Sequence, residues 1–177
     1  RTRADAVAEI YESFFTTFPD PHAVIATDDQ TIFEEVRSLG FGNQRTRSIR
    51  EAARLCVEKN DGDVPDDLEM LQKPWRVGPY SARACLLFAF NEPLSLVDSN
   101  IARIFERVFD YEMPEQPHKS DAVYAFIEMF IPDDPELARG LNFSFLDLGA
   151  NLCTSNPRCP SCPLNECCAC AQRTTVE

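Results

Sequence analysis

The chain has 177 residues, of which 44% are hydrophobic, and it carries a formal net charge of -12. This length is enough to bury a sizeable core, either as one domain or as two small lobes around a cleft. No stretch approaches the roughly 20 apolar residues that a membrane span needs, and no basic and then apolar leader opens the sequence. The sequence therefore argues against membrane insertion and secretion, and we expect a cytoplasmic protein.

The acidic excess, 29 acidic against 17 basic residues, argues at first against a polyanionic partner. However, only three of the basic residues are lysines. An acidic, lysine-poor surface is also typical of proteins adapted to high salt. The net charge alone therefore does not identify the partner.

Apolar residues recur at helical spacing along nearly the whole chain, without the alternation that is typical of strands. Clusters of Pro, Gly, Asn and Asp interrupt this pattern, as in KNDGDVPDD, QKPWRVGPY and EMPEQPHKS. The pattern predicts an all-α protein of about eight short helices. The opening stretch RTRADAVAEIYESFF reads as a helix already under way, so we expect an upstream element.

The densest basic stretch follows the sequence LGFGNQ. It could follow the phosphate backbone of a nucleic acid, or it could form a solvated helix face in which Glu51 is interspersed. Its members are Arg45, Arg47, Arg50 and Arg54.

Two predicted helices, near Asp67 to Lys73 and Tyr80 to Phe90, are joined by a tight turn that ends in VGPY. We expect Gly78 to adopt a backbone conformation that other residues resist, and Pro79 to occupy the first turn of the second helix. The unpaired amides at such a helix start can bind a phosphate group. A plain helix-turn-helix packing unit is the alternative.

Asp98, in the sequence LVDSN, follows a short apolar run and precedes a predicted helix. Asp is a preferred N-cap residue, so capping alone accounts for its position. A second role for its carboxylate does not follow from this stretch by itself.

Six of the eight cysteines lie between residues 152 and 170. Cys153, Cys159, Cys162 and Cys168 form the pattern C-x5-C-x2-C-x5-C, with Cys167 an alternative to Cys168 and Cys170 a further thiol. Disulfides, a zinc site and an iron-sulfur cluster all use such thiols, and a [4Fe-4S] cluster is our preferred interpretation. Cys56 and Cys85 lie on apolar helix faces and are expected to behave as small hydrophobic residues.

The order of these motifs resembles the helix-hairpin-helix DNA glycosylases of the endonuclease III family along essentially the whole chain. The family hairpin LPGVGxxTA is similar to PWRVGPYSA, and its VDxN motif to VDSN, about twenty residues beyond Gly78. The family tail C-x6-C-x2-C-x5-C is similar to the cysteine pattern here. LGFGNQRTRSI and LDLGANLCT also resemble family stretches.

The resemblance implies an all-α fold with two helical lobes on either side of a DNA-binding cleft. Residues 1–95 would form a helical barrel lobe that includes the helix-hairpin-helix, and residues 96–177 a lobe with the cluster. The expected catalytic residues are Asp98, which supplies the carboxylate, and Tyr80. Cys153, Cys159, Cys162 and Cys168 would bind a [4Fe-4S] cluster, and the expected DNA-binding residues are Gln44, Arg45, Arg47, Arg76, Val77, Gly78 and Ser81.

Family members that also cut the abasic strand have a Lys where this chain has Tyr80, and a phenol cannot form their Schiff base. The resemblance therefore implies a monofunctional glycosylase, acting as a monomer on double-stranded DNA and, in a prokaryote, at the nucleoid. Mismatched thymine or uracil opposite guanine is the expected substrate. A MutY-type adenine glycosylase, acting on A·G or A·8-oxoguanine, and a non-catalytic DNA-binding iron-sulfur protein are the alternatives. Trp75 and Arg76 depart from the family hairpin and could reshape its turn.

Overall fold

A computed structural model describes residues 4–174 of the chain, and all regular structure among them is helical. This confirms the predicted all-α fold, although there are more helices than the number expected from the sequence. Within these residues no helix is long and apolar enough to cross a membrane. The helices are α1 (Ala4–Thr17), α2 (Pro21–Ala26), α3 (Asp29–Val36), α4 (Gly42–Lys59), α5 (Leu68–Leu71), α6 (Pro79–Ala89), α7 (Ser99–Phe109), α8 (Asp121–Glu128), α9 (Pro135–Asn151) and α10 (Ala169–Thr174).

Short polar side chains determine where most of these helices begin. Each accepts a hydrogen bond from a backbone amide in the first turn, which otherwise has no partner within the helix. Proline occupies the first turn of α2, α6 and α9, where its missing amide hydrogen costs nothing. The capping residues are Asp20, Asp28, Asp67, Asp98, Ser120 and Asp134.

The chain divides into two compact units, Arg1–Val77 and Gly78–Glu177. The functional lobes expected at residues 1–95 and 96–177 stay a prediction. In the first unit, α2 and α3 pack against α4 around the buried side chains of Phe18, Val24, Ile32 and Ala53.

Arg50 of α4 stabilises the connection between α2 and α3 through an ion pair and hydrogen bonds. Its side chain is only 13% exposed and pairs with Asp29 at 2.6 Å. The same guanidinium donates hydrogen bonds to the carbonyl oxygens of Val24 and Thr27, each at 2.6 Å. Of the two alternatives for the basic stretch, a solvated helix face does not hold for Arg50, because its donors are used inside the unit.

The second unit is built around α7, whose Ile101, Ile104 and Phe105 are almost fully buried. Residues of α6, α8 and α9 surround them, including Leu87, Val123, Tyr124, Ile127 and Ala138. The ring of Phe105 also lies within 5.8 Å of the ring centroids of four other phenylalanines, which are Phe109, Phe126, Phe130 and Phe145. This packing fixes α7, and with it the position of the residue that caps its start.

Candidate functional site

Asp98 is the N-cap of α7, as the sequence predicts, and its two carboxylate oxygens have different surroundings. Oδ1 accepts hydrogen bonds from the backbone amides of Asn100 and Ile101, both at 2.8 Å. Oδ2 accepts a longer bond of 3.3 Å from the side-chain amide of Asn100. The amides and the helix start stabilise a negative charge on this half-buried carboxylate, while Oδ2 keeps capacity for another partner.

The segment before Asp98 is clamped by Asn142 of α9. The side chain of Asn142 is fully buried, and its Oδ1 accepts a hydrogen bond of 2.8 Å from the backbone amide of Leu96. Its Nδ2 donates to the carbonyl oxygens of Leu94 and Ala138. Asn142 thus fixes the approach to the catalytic candidate. Asn142 was not predicted from the sequence, because the only signal was a polar residue on an otherwise apolar helix face.

Arg103 of α7 connects the surroundings of Asp98 to the cysteine-rich loop. Its NH2 donates to Oδ1 of Asn100 and to the carbonyl oxygen of Gly149, both at 2.9 Å. Its Nε donates to the carbonyl oxygen of Cys153 at 2.7 Å. Neither contact was predicted, since Arg103 stands in no motif identified in the sequence, and Gly149 was noted only as part of LDLGANLCT, without a role of its own.

Tyr80, in the first turn of α6, lies close enough to Asp98 for the two groups to interact electrostatically. Burial, and then the negative charge of Asp98, raises the pKa of the Tyr80 phenol above its ordinary value. The phenol therefore stays protonated at neutral pH and can act as a hydrogen-bond donor. The structure brings these two predicted site residues together.

The start of α6 has the properties of a phosphate-binding site. Gly78 is its N-cap and makes no side-chain cap, so the first amides, including those of Tyr80 and Ser81, have no partner within the helix. The expectation of an unusual conformation at Gly78 is wrong, since its φ of -96° and ψ of -178° are ordinary extended values. A Cβ there would meet nothing within 4 Å, so the space in front of Gly78 is open.

The left-handed residue of the turn is Arg76, with φ of 62°. The backbone of the neighbouring Trp75 is tied to α4 by two hydrogen bonds of 2.7 Å, with its amide donating to Glu51 and its carbonyl oxygen accepting from Ser48. The guanidinium groups of Arg47 and Arg76 lie 4.6 and 5.3 Å from the centroid of the Trp75 ring. The departure from the family hairpin therefore produces a cationic and aromatic cluster, here called the Trp75 cluster, made of Arg47, Trp75 and Arg76.

Two of the predicted DNA-binding residues, Gln44 and Arg45, lie in the first turn of α4. The exposed Arg76 side chain donates a hydrogen bond to Oε1 of Gln44. Arg45 donates to the carbonyl oxygens of Gly40 and Leu39, which closes the preceding turn. Phe41, in that turn, is left-handed at φ of 54° and 73% exposed. Phe41 was not predicted as a site residue, although an aromatic residue between two glycines was a signal in the sequence.

Five thiols line one cavity in the second unit, those of Cys153, Cys159, Cys162, Cys168 and Cys170. The cavity is partly open to solvent, and apolar side chains such as Ile104, Val108, Leu148 and Leu152 complete its lining. Cys167 is exposed, and its thiol donates to the carbonyl oxygen of Leu164 at 3.4 Å. Cys167 and Cys168 were the two candidates for the fourth ligand, and of these Cys168 lines the cavity.

The thiols interact with one another and with Arg107. Burial, and then the charges of Cys170, Cys168, Cys162 and Cys153, raises the pKa of Cys159. The NH1 group of Arg107 lies 3.4 Å from Sγ of Cys153 and donates to the carbonyl oxygen of Thr154 at 2.6 Å. Within residues 4–174, however, no three His, Cys, Asp or Glu side chains are grouped so that they could hold a metal ion.

Comparison with known families decides where the chain belongs. Residues 1–128 match the family described as HhH-GPD superfamily base excision DNA repair protein, and this match covers more than half of the chain. The chain belongs to the HhH-GPD superfamily. The family resemblance predicted from the hairpin, the VDSN motif and the cysteine tail is thereby confirmed.

Individual HhH-GPD proteins are similar over almost the full chain. The thymine-DNA glycosylase of Aeropyrum pernix is 33% identical over 170 residues, which cover 95% of this chain and 76% of that protein. The thymine/uracil-DNA glycosylase of Pyrobaculum aerophilum is 31% identical over 166 residues, 93% of this chain and 72% of that protein. The solved structure of a thermostable thymine-DNA glycosylase superposes with a TM-score of 0.88 at 27% identity, covering 98% of this chain and 79% of that one.

Proposed function

We propose that this HhH-GPD protein is a monofunctional DNA glycosylase that removes a mismatched thymine or uracil opposite guanine from double-stranded DNA. The observation that carries the proposal is the carboxylate of Asp98, one oxygen of which is fixed by two backbone amides while the other keeps capacity for a partner. The similarity to thymine and thymine/uracil glycosylases supports the choice of base.

The proposed chemistry uses the charge of Asp98. As the bond between base and deoxyribose breaks, positive charge develops on the sugar, and a fixed anion nearby stabilises that transition state more than the ground state. Oδ2 can also orient or deprotonate the attacking water. The hydrogen bonds to Oδ1 hold the carboxylate in place, so little reorganisation is needed during the reaction.

The reaction requires the target nucleotide to leave the base stack, which costs a few kcal/mol and costs least for a mispaired base. Phe41 has the properties of a wedge for this step, since a 73% exposed aromatic side chain can enter the gap between bases. Gln44 follows within the first turn of α4 and can form hydrogen bonds to the bases left behind.

DNA backbone binding is proposed to use two kinds of donor. The free amides at the start of α6 bind a phosphate without any cationic side chain, and the open space at Gly78 permits a close approach. The guanidinium groups of the Trp75 cluster supply positive charge from the first unit. Local donors of this kind let an acidic protein with a net charge of -12 bind a polyanion.

Tyr80 supports a monofunctional reaction. A phenol has no amine with which to form a Schiff base with the sugar, so the product is an intact abasic site. Because the pKa of Tyr80 is raised, its hydroxyl stays a donor and can hydrogen-bond the substrate or the Asp98 carboxylate.

We propose a [4Fe-4S] cluster as the cofactor, held by Cys153, Cys159, Cys162 and Cys168. A single zinc ion requires its thiolates to converge on one point, and no such group exists among residues 4–174. A cube of four irons takes one thiolate at each iron and so fits thiols that are spaced around a cavity. When bound, the cluster would cross-link the loop after α9 to the start of α10 through iron-thiolate bonds.

The substrate is tested with duplexes that contain G·T, G·U, A·G or A·8-oxoguanine pairs, incubated with the protein and analysed with and without hot alkali. We expect strand breaks only after alkali, and only for G·T and G·U. Breaks without alkali would show lyase chemistry and contradict the role of Tyr80. Products from the adenine pairs alone would favour the MutY-type reaction, and no product from any duplex would exclude the proposed catalysis.

A further inference from the structure

We propose that Cys170 is an alternative fourth ligand of the cluster, able to replace Cys168 at one iron. This inference rests on the proposed [4Fe-4S] cofactor and assigns a role to a thiol outside the four-cysteine pattern. A cube needs four thiolates, whereas five thiols line the cavity. One of the five is therefore in excess at any time.

The position of Cys170 distinguishes it from the remaining cysteine of the tail. Cys170 lines the cavity together with Cys153, Cys159 and Cys162. Cys167 is exposed and its thiol is bonded to the carbonyl oxygen of Leu164. Cys170 is thus the fifth thiol that lines the cavity and is placed to reach a cluster, although Cys167 directly adjoins Cys168 in sequence.

The start of α10 keeps Cys168 and Cys170 at the same cavity. Cys168 immediately precedes α10, and Cys170 is the second residue of the helix. The backbone amide of Gln172 donates to the carbonyl oxygen of Cys168 at 3.1 Å, and Ala171 is only 4% exposed. These contacts fix the helix start, so both thiols line the cavity without a rearrangement of the chain.

The contacts of Cys168 also permit an exchange. Its Sγ lies 3.4 Å from the carbonyl oxygen of Arg107 and can donate a hydrogen bond to it when protonated. In the exchange, the thiol of Cys170 would give up its proton and bind the iron that Cys168 leaves, and the released Cys168 thiolate would take up a proton. One thiolate would replace another, so no oxidant or reductant would be needed.

The test uses the full chain purified without oxygen, as wild type and as the variants Cys168→Ser, Cys170→Ser, Cys168→Ser/Cys170→Ser and Cys167→Ser. Iron and acid-labile sulfide per chain are measured, together with the broad thiolate-to-iron absorption near ~400 nm. Helix content by circular dichroism shows whether each variant folds. Cys167→Ser is the matched control, since it removes a neighbouring thiol that does not line the cavity.

We expect each single variant to retain most of the iron of the wild type and the double variant to retain at least about tenfold less. If Cys168→Ser alone loses as much iron as the double variant, Cys170 does not replace Cys168 and the inference is wrong. Wild-type protein without iron would also overturn it. That result leaves the duplex assay to decide separately whether the chain is a glycosylase.

Discussion

Gly149 of α9 lies so close to Asn100 of α7 that a Cβ atom at position 149 would be 2.6 Å from the Cβ of Asn100. Asn100 bonds to both oxygens of the Asp98 carboxylate, through its backbone amide and its side chain. The contact between the two helices therefore determines where the carboxylate lies.

Gly149→Ala is expected to lower the rate of base removal by at least about tenfold, since small displacements of a catalytic group are costly. Gly140→Ala is the matched control, because Gly140 stands on the same helix and a Cβ there meets nothing within 4 Å. The control should keep full activity and gain up to about 1 kcal/mol of stability from better helix propensity. Single-turnover rates and urea unfolding of both variants provide the measurement. Equal rates would show that the close contact does not position Asp98.

Asn142→Leu is expected to destabilise the second unit by about 2 to 4 kcal/mol. The substitution keeps the size of the side chain but leaves the buried amide of Leu96 without a partner and removes the hydrogen bond to the carbonyl oxygen of Leu94. Ser144→Ala is a suitable control, since Ser144 is an exposed residue of the same helix. The free energy of unfolding in urea is the quantity to compare. If Asn142→Leu lowers the free energy of unfolding no more than Ser144→Ala does, the hydrogen bonds of Asn142 contribute little to stability.

Arg76→Gly separates the strain at the turn from its positive charge. A left-handed conformation costs a non-glycine residue roughly 1–2 kcal/mol, so the variant should be as stable as wild type or more stable. It loses the guanidinium that contacts Gln44 and Trp75, so DNA binding should weaken and the slope of log K against log salt should fall by about 1. Asp61→Gly, also at a left-handed position with φ of 52°, is the matched control. If the salt dependence of DNA binding is the same for Arg76→Gly and wild type, Arg76 does not contact the DNA backbone.

Ionisation of the buried Tyr124 phenol is expected to lower the stability of the protein at high pH. Burial raises the pKa of its phenol to about 12, against about 10 in an unfolded chain. The folded state holds this proton more tightly, so the contribution is complete below about pH 10 and is lost as the pH rises through about 12, by up to about 3 kcal/mol. Tyr124→Phe removes the ionisation together with a 3.3 Å hydrogen bond to the carbonyl oxygen of His118. Urea unfolding at several alkaline pH values should give a smaller loss for the variant than for wild type. Parallel losses would contradict the assignment.

The sequence predicted the residues whose roles depend on local chemistry. The catalytic role of Asp98 came from the family resemblance and stays a prediction. Asp98 also follows an apolar run and starts a helix, and the cysteines of the tail are close together in the chain, so the helix cap and the group of thiols could be found without a structure. Asn142 and Gly149 could not, since their importance comes from contacts with Leu96 and Asn100, more than forty residues away.

The conformation of the turn before α6 could not be predicted from local sequence propensity. Glycine is the usual left-handed residue, so the sequence favoured Gly78 for the unusual conformation, whereas Arg76 adopts it. The Trp75 cluster depends on this placement. Hydrogen bonds of Trp75 to Ser48 and Glu51, over more than twenty residues, are the tertiary contacts that hold the turn, and local propensity contains no information about them.

The rate of base removal by Asp98→Asn tests the central claim most directly. Asparagine is also a good N-cap, so α7 should form and the variant should bind a G·T duplex as wild type does. Asp134→Asn, which changes the equivalent cap of α9, is the control. Single-turnover assays with alkali should show a loss of at least about 100-fold for Asp98→Asn, since the charge that stabilises the transition state is gone, and no loss for Asp134→Asn. Product formation by Asp98→Asn at the wild-type rate would show that Asp98 only caps a helix.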